Sequence, residues 1–292
     1  MELEAEELER LVADVVRKVG NFVEAKMRAF YLASRLDEME EELALEVMHA
    51  ICERASDREP AYQRAVLALV DTETLTDVLG FQKVRRLYIE SHNRGYASVK
   101  RILSRAQPAK RYEGENELFI QYGLHTKLTG ERKNLARRAG PAIIDRLTYD
   151  LDPLVVRDLL KNPRLTEQHV VKMAARRPNR PEILEEIFKN PKWIARYQVK
   201  LALARNPYTP PRIAAGLLVF LTEHDINEVA NHASLHEEVR QQARKLLRSK
   251  GLELERREDY RPKKRGFTMY HIDLENAVVK PMDELDEEPD EF

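Results

Sequence analysis

The chain has 292 residues, of which 49 are basic and 50 acidic, giving a formal net charge of −1; 43% are hydrophobic and only 7% aromatic. That length holds one large or two modest domains with a sizeable core. The single cysteine, Cys52, excludes an intramolecular disulfide and a multi-cysteine metal site, and no segment approaches the roughly 18 apolar residues of a membrane-spanning helix.

The opening MELEAEELER is acidic and lacks an apolar core, which reads against a signal peptide and makes the cytoplasm the expected compartment. Few glycines and much Leu, Ala, Glu and Arg predict an all-α chain, because these side chains lose little freedom in a helix. Charge is segregated along the chain. Residues 1–80 hold 9 basic and 19 acidic side chains, residues 81–140 hold 14 and 5, residues 141–250 hold 19 and 13, and residues 251–292 hold 7 and 13. Such segregation fits either a nucleic-acid site or segments that attract one another within the fold.

In the first segment Leu8, Leu11, Val12, Val15, Val16 and Val19 recur at three- and four-residue spacing, one face of a helix. Phe22, Val23, Met27 and Phe30 are expected to continue that face after a break at Gly20–Asn21. Asp37 is a candidate N-cap for a helix bearing Leu43, Val47, Met48 and Ile51. Asp57 and Pro60 mark another start, before Val66, Leu67 and Val70, and Gly80 is a candidate C-cap. Residues 81–103 predict a basic amphipathic helix or helix pair on Phe81, Val84, Leu87, Tyr88, Val99, Ile102 and Leu103. Residues 104–117, with Pro108 and Gly114, lack apolar periodicity and predict a loop.

Nine of the 14 prolines fall between 141 and 211, a span without glycine until 216. Proline starts helices well and cannot sit inside them, so it acts here as punctuation. A basic–polar–proline pattern recurs at Lys161-Asn162-Pro163, Arg176-Arg177-Pro178, Lys189-Asn190-Pro191 and Arg205-Asn206-Pro207, with Asn231-His232 as a fifth, altered copy. The first and third copies lie 28 residues apart and the second and fourth 29, which predicts helix pairs. Capping signals follow: Thr209 before Pro210, Asn179 with Glu182, and Ser234 with Glu237 as an S-x-x-E box.

The stretches KNPRLTEQHVVKMAA (161–175), ARRPNRPEILEEI (175–187) and ARNPYTPPRIAAGLL (204–218) resemble the leucine-rich repeat variant, a helical repeat akin to HEAT and armadillo units. The resemblance covers about 150–248. It implies a HEAT-like α-solenoid, in which each unit packs on its neighbours and leaves a long groove for a partner. It implies little about function.

No glycine-rich phosphate loop and no G-x-S-x-G elbow is present, so no catalytic residue, metal or cofactor is expected. His224, Glu228, His232 and His236 step by four and would form a zinc-ligand stripe on a continuous helix, but the turn at Asn231-His232 breaks it. His49 and Cys52 share a helix face with no further ligand nearby, which makes Cys52 a buried thiol. Trp193, Arg196, Tyr197 and Lys200 share a face, and with Arg176, Arg177 and Arg180 they are the candidate partner-binding residues. The basic patch Arg85, Arg86, Arg94, Lys100, Arg101 and Arg105, continued by Lys110, Arg111, Arg132, Lys133, Arg137 and Arg138, is the candidate polyanion surface.

The expected organisation is a helical bundle-like region over 1–103, a linker over 104–117, a helical-repeat array over 118–250 and a disordered acidic tail over 251–292. An apolar island, 267–272, interrupts the tail. The expected function is non-enzymatic protein binding, as an adaptor or scaffold whose groove takes an acidic or mixed peptide. Nucleic-acid binding through the 81–140 surface is the alternative, and an enzyme with an unfamiliar site a weaker one.

Overall fold

A computed structural model describes residues 5–113, 117–251, 270–273 and 278–281. The chain divides into two compact units, one of 1–110 with 203–254 and the other of 111–202 with 255–292. Apart from one short hairpin, the described elements are helical.

The first unit begins with α1 (Ala5–Gly20), whose Val12, Val15, Val16 and Val19 are buried as their spacing predicts. Full burial of a valine is worth about 1.5–3 kcal/mol, so this stripe anchors the helix. α2 (Ala25–Asp37) buries Ala29, Leu32, Ala33 and Leu36 instead of the expected face. Val23 is 86% and Phe30 52% exposed, and Met27 is exposed beside them. Both faces of α2 carry apolar residues, and the small alanines permit the closer packing. α3 (Glu41–Ser56) is entered from Glu40, with no side-chain cap; Asp37 closes α2 and does not cap α3. α4 (Pro60–Val70) starts on its proline, with Asp57 at the preceding C-cap. α5 (Thr72–Asn93) is two helical stretches joined by a kink at Gly80, which ends the first stretch as expected. The residue takes φ 76°, a left-handed value that glycine adopts without strain, and the helix resumes beyond it. α6 (Ala97–Leu103) follows.

In the second unit α7 (Glu117–Gln121) leads to α8 (Thr129–Arg138), α9 (Pro141–Leu147), α10 (Pro153–Leu159), α11 (Glu167–Ala175), α12 (Pro181–Lys189) and the single turn α13 (Pro191–Ile194). α10 packs on α8 and on α12. Three of the Asn-Pro turns share one device. Proline has no N–H, so the asparagine carbonyl accepts from the residue beyond it: Arg164 N to Asn162 Oδ1 at 2.9 Å, Lys192 N to Asn190 Oδ1 at 3.1 Å, and, in the first unit, Tyr208 N to Asn206 Oδ1 at 3.0 Å. Asn162 also donates to the Ala136 carbonyl at 2.8 Å and the Ala139 carbonyl at 3.2 Å, tying its turn to the end of α8. In the Arg176 copy the asparagine follows the proline. Asn179 donates to Met173 O at 2.8 Å and accepts from Arg180 N at 2.9 Å, and Arg180 takes the cap position of α12.

α14 (Tyr197–Arg205) crosses the division between the units. The first unit is completed by α15 (Pro211–Leu217), α16 (Glu223–Asn231) and α17 (Glu237–Ser249), and α15 packs against α4, α6 and α17. Thr209 donates to Leu203 O at 2.7 Å and leaves the cap of α15 to Pro210. At α17 the cap is His236, whose Nδ1 accepts from Glu238 N at 3.2 Å, while Ser234 pairs with His232. Imidazole displaces the expected serine because α17 starts two residues later than the S-x-x-E spacing requires.

Within the expected disordered tail, β1 (Tyr270–Asp273) pairs antiparallel with β2 (Val278–Pro281), with Tyr270 opposite Pro281. The apolar island thus contributes a strand through its residues 270–272. Positions 267–269 and the acidic end 282–292 lie outside the described residues.

Candidate functional site

Lys83 and Arg86 of α5, and Arg94 at its end, meet α2 and α3 of the same unit. Arg86 contacts Glu41 at 2.5 Å, and Lys83 donates to the Asp37 and Met39 carbonyls at 2.7 and 2.9 Å. Arg94 reaches Glu42 at 2.5 Å, Glu46 at 2.8 Å and Glu90 at 2.8 Å. The bonds from Glu90 and Glu42 hold the Arg94 guanidinium above its ordinary range, and the bond from Arg86 holds Glu41 below the usual carboxylate range. Arg101 turns inward and donates to Gln242 at 2.5 Å, and burial lowers its pKa. Lys100 lies 3.1 Å from His92 Nδ1, and Arg105 stands over the exposed Phe81 ring at 5.3 Å. Arg85 is exposed. The six patch residues therefore do not form one uncommitted face: Arg86 and Arg94 are neutralised locally and Arg101 is half-buried.

The partner-binding cluster is also divided. Trp193 is 2% exposed, and its indole N–H donates to Leu160 O at 2.9 Å; a large aromatic with a satisfied donor is core. Lys200 donates to the Ile194 and Ala195 carbonyls at 3.3 and 3.0 Å, with its pKa lowered by burial. Arg196 is exposed and lies 3.8 Å from Glu167, and Tyr197 is half-buried at the start of α14. Arg176 is 5% exposed, donating to Thr148 O at 2.9 Å and Asn179 Oδ1 at 3.1 Å, and burial brings its pKa down to about 10. Arg180 reaches Leu151 O at 3.0 Å, and Arg177 is exposed. Trp193 and Arg176 are thus corrected to interior residues. The rest fall at opposite ends of the helices, because the 148–152 and 176–180 turns adjoin each other while Trp193 adjoins the 160 turn.

Beside that divided cluster the second unit holds a buried ion pair, Arg132 Nε to Asp150 Oδ2 at 2.8 Å, with Asp150 0% exposed. Burial raises the Asp150 pKa against the opposing pull of the Asp152 amide and Arg132. The Arg132 fork also reaches Lys127 O at 2.7 Å. These groups are structural: they are enclosed and satisfied by one another.

The histidine stripe is broken where α16 ends at Asn231, with His232 and His236 engaged as described and Glu228 paired with Arg205. Cys52 is buried, and desolvation pushes its thiol up to about 12. Among the described residues no three His, Cys, Asp or Glu side chains come together as a metal site, and no helix is long and apolar enough to cross a membrane.

One exposed array remains in the second unit. The turns after α8, α10 and α12 adjoin in order: Asn162 bonds the end of α8, and Trp193 bonds Leu160. Their basic side chains, Arg137 and Arg138, then Lys161 and Arg164, then Lys189 and Lys192, are all exposed. Arg137 is paired with Asp158 at 3.1 Å, and Lys192 stands over the Trp193 ring at 4.2 Å. Arg138, Lys161 and Arg164 make no ion pair with any described carboxylate. In the sequence Lys161 and Lys189 belong to the proline punctuation, and no local pattern singles out Arg164 or Lys192. The recurring basic position of each motif is the signal that finds this edge. Comparison with family models, with curated proteins and with solved structures finds no match to this chain.

Proposed function

We propose that the protein is a non-enzymatic binding scaffold, a HEAT-like α-solenoid whose repeated turns present basic side chains to an acidic or mixed protein segment. The observation that carries this reading is the exposed edge of Arg138, Lys161 and Arg164, held in register by the buried Asn162 bonds to α8. Repeated helical units serve as rigid display surfaces, and the resemblance of 150–248 to leucine-rich repeat variant units supports the same reading.

Nucleic-acid binding through 81–140 is the second reading, favoured by the exposed Arg85 and Arg105. The ion pairs of Arg86 and Arg94 with α3 weigh against it, since a phosphate path needs uncommitted cations away from carboxylates. Fluorescence anisotropy with single-stranded DNA, duplex DNA and RNA at about 150 mM salt tests the choice. The scaffold reading expects no binding in the micromolar range. Micromolar or tighter binding that is lost when Arg85 and Arg105 become Ala overturns it.

A further inference from the structure

Resting on the scaffold reading, we infer that the basic edge of the second unit docks a partner segment in polyproline-II conformation with a carboxylate at every third residue. The edge has three rungs, Arg138, then Lys161 with Arg164, then Lys189 with Lys192, and each belongs to the turn after one of three successively packed helices. The rungs adjoin directly: the Arg164 guanidinium reaches the Arg138 carbonyl at 3.5 Å, Asn162 bonds Ala136 and Ala139, and the Trp193 indole bonds Leu160.

Packed helices lie about 8–10 Å apart, and that distance sets the spacing between rungs. A polyproline-II chain rises about 3.1 Å per residue with three residues per turn, so every third side chain returns to one face after about 9 Å. A β-strand returns to one face every second residue, after about 7 Å or 14 Å, and misses the rungs. The chemistry of the edge selects carboxylates. Two of the three rungs hold cations without a described carboxylate partner, and a carboxylate takes an arginine fork in a bidentate bond. Bases find no stacking platform among the described residues of these turns, because Phe188 is buried and Trp193 is buried beneath Lys192. The surface therefore favours an acidic extended peptide over a single-stranded nucleic acid.

The test is a fluorescence anisotropy titration of the full chain at about 150 mM salt. The probes are a peptide of five Glu-Pro-Pro triplets, a composition-matched peptide with its glutamates contiguous, and an oligouridine RNA. The triplet peptide is expected to bind at least about fivefold more tightly than the clustered one, and the RNA more weakly than either. The variant Arg138→Glu/Lys161→Glu/Arg164→Glu, checked for unchanged circular dichroism, loses at least about tenfold in affinity. Should it misfold, the milder Lys161→Gln/Arg164→Gln replaces it. Arg146→Glu, exposed at the opposite end of the helices, leaves binding within about twofold. Equal affinity for the clustered peptide, tighter RNA binding, or no triplet binding would overturn the inference. A partner protein retained by the triple variant would remove this edge while leaving the scaffold reading in place.

Discussion

A methyl group on Gly216 would lie 2.5 Å from Val70 Cγ2, so α15 approaches α4 at the only side-chain size that fits. Gly216→Ala is expected to destabilise the first unit by about 1–3 kcal/mol, the usual cost of overpacking, read as a lower urea midpoint. Adding Val70→Ala is expected to recover part of the loss, and strict additivity of the two changes would contradict the contact. At Asn162, one amide serves two carbonyls and one N–H. Asn162→Ala strands those groups and is expected to cost about 1–3 kcal/mol, whereas an exposed Lys161→Ala has a near-zero effect on the same unfolding curve. Cys52 gives the pH dependence. Its thiol is pushed up to about 12 in the folded chain, so the folded state keeps the proton that the unfolded state releases above the thiol's ordinary value of 9.0. The contribution is complete below that lower value and is lost as pH rises toward about 12. Cys52→Ala is therefore expected to flatten the alkaline limb of a stability–pH profile, and an unchanged limb would refute the buried neutral thiol.

At the scale of elements, the valine stripe of α1 was legible because only one of its faces is apolar. α2 was not, because Val23, Met27 and Phe30 offered a second apolar face and the choice fell to Ala29 and Ala33, which let α2 approach α4 and α5 closely. Gly80 is legible: a left-handed glycine closes a helix, as it closes the first stretch of α5, and Leu79, Val84 and Leu87 are buried on either side of the kink. The Asn-Pro turns were legible, since their chemistry is local. Between elements, Arg94 joins α5 to α3 through Glu42 and Glu46. Arg94→Ala is expected to lower the melting temperature at low salt, with the difference shrinking at 1 M salt as screening shortens to about 3 Å. A deficit that persists at high salt would assign Arg94 to packing.

At the scale of the whole molecule, local spacing predicts an N-terminal region over 1–103 followed by one array over 118–250. The compact units instead bring 203–254 together with 1–110. That pairing depends on long-range contacts such as Gln63 to Val219 O at 2.7 Å and Arg58 to Leu221 O at 2.9 Å, which no local spacing encodes. The candidate site was legible only in part. Basic composition singled out Arg and Lys side chains, but Trp193 and Arg176 are buried and Arg101 is half-buried, and burial is decided by tertiary packing that composition does not report. Among the exposed basic side chains, those along the edge of successive turns are the ones proposed to serve a protein. The most direct measurement is affinity capture with the full chain and with Arg138→Glu/Lys161→Glu/Arg164→Glu, from nuclease-treated and untreated extract, read by mass spectrometry. The account predicts a discrete set of proteins retained after nuclease and lost in the variant; loss of every captured protein on nuclease treatment alone would contradict it.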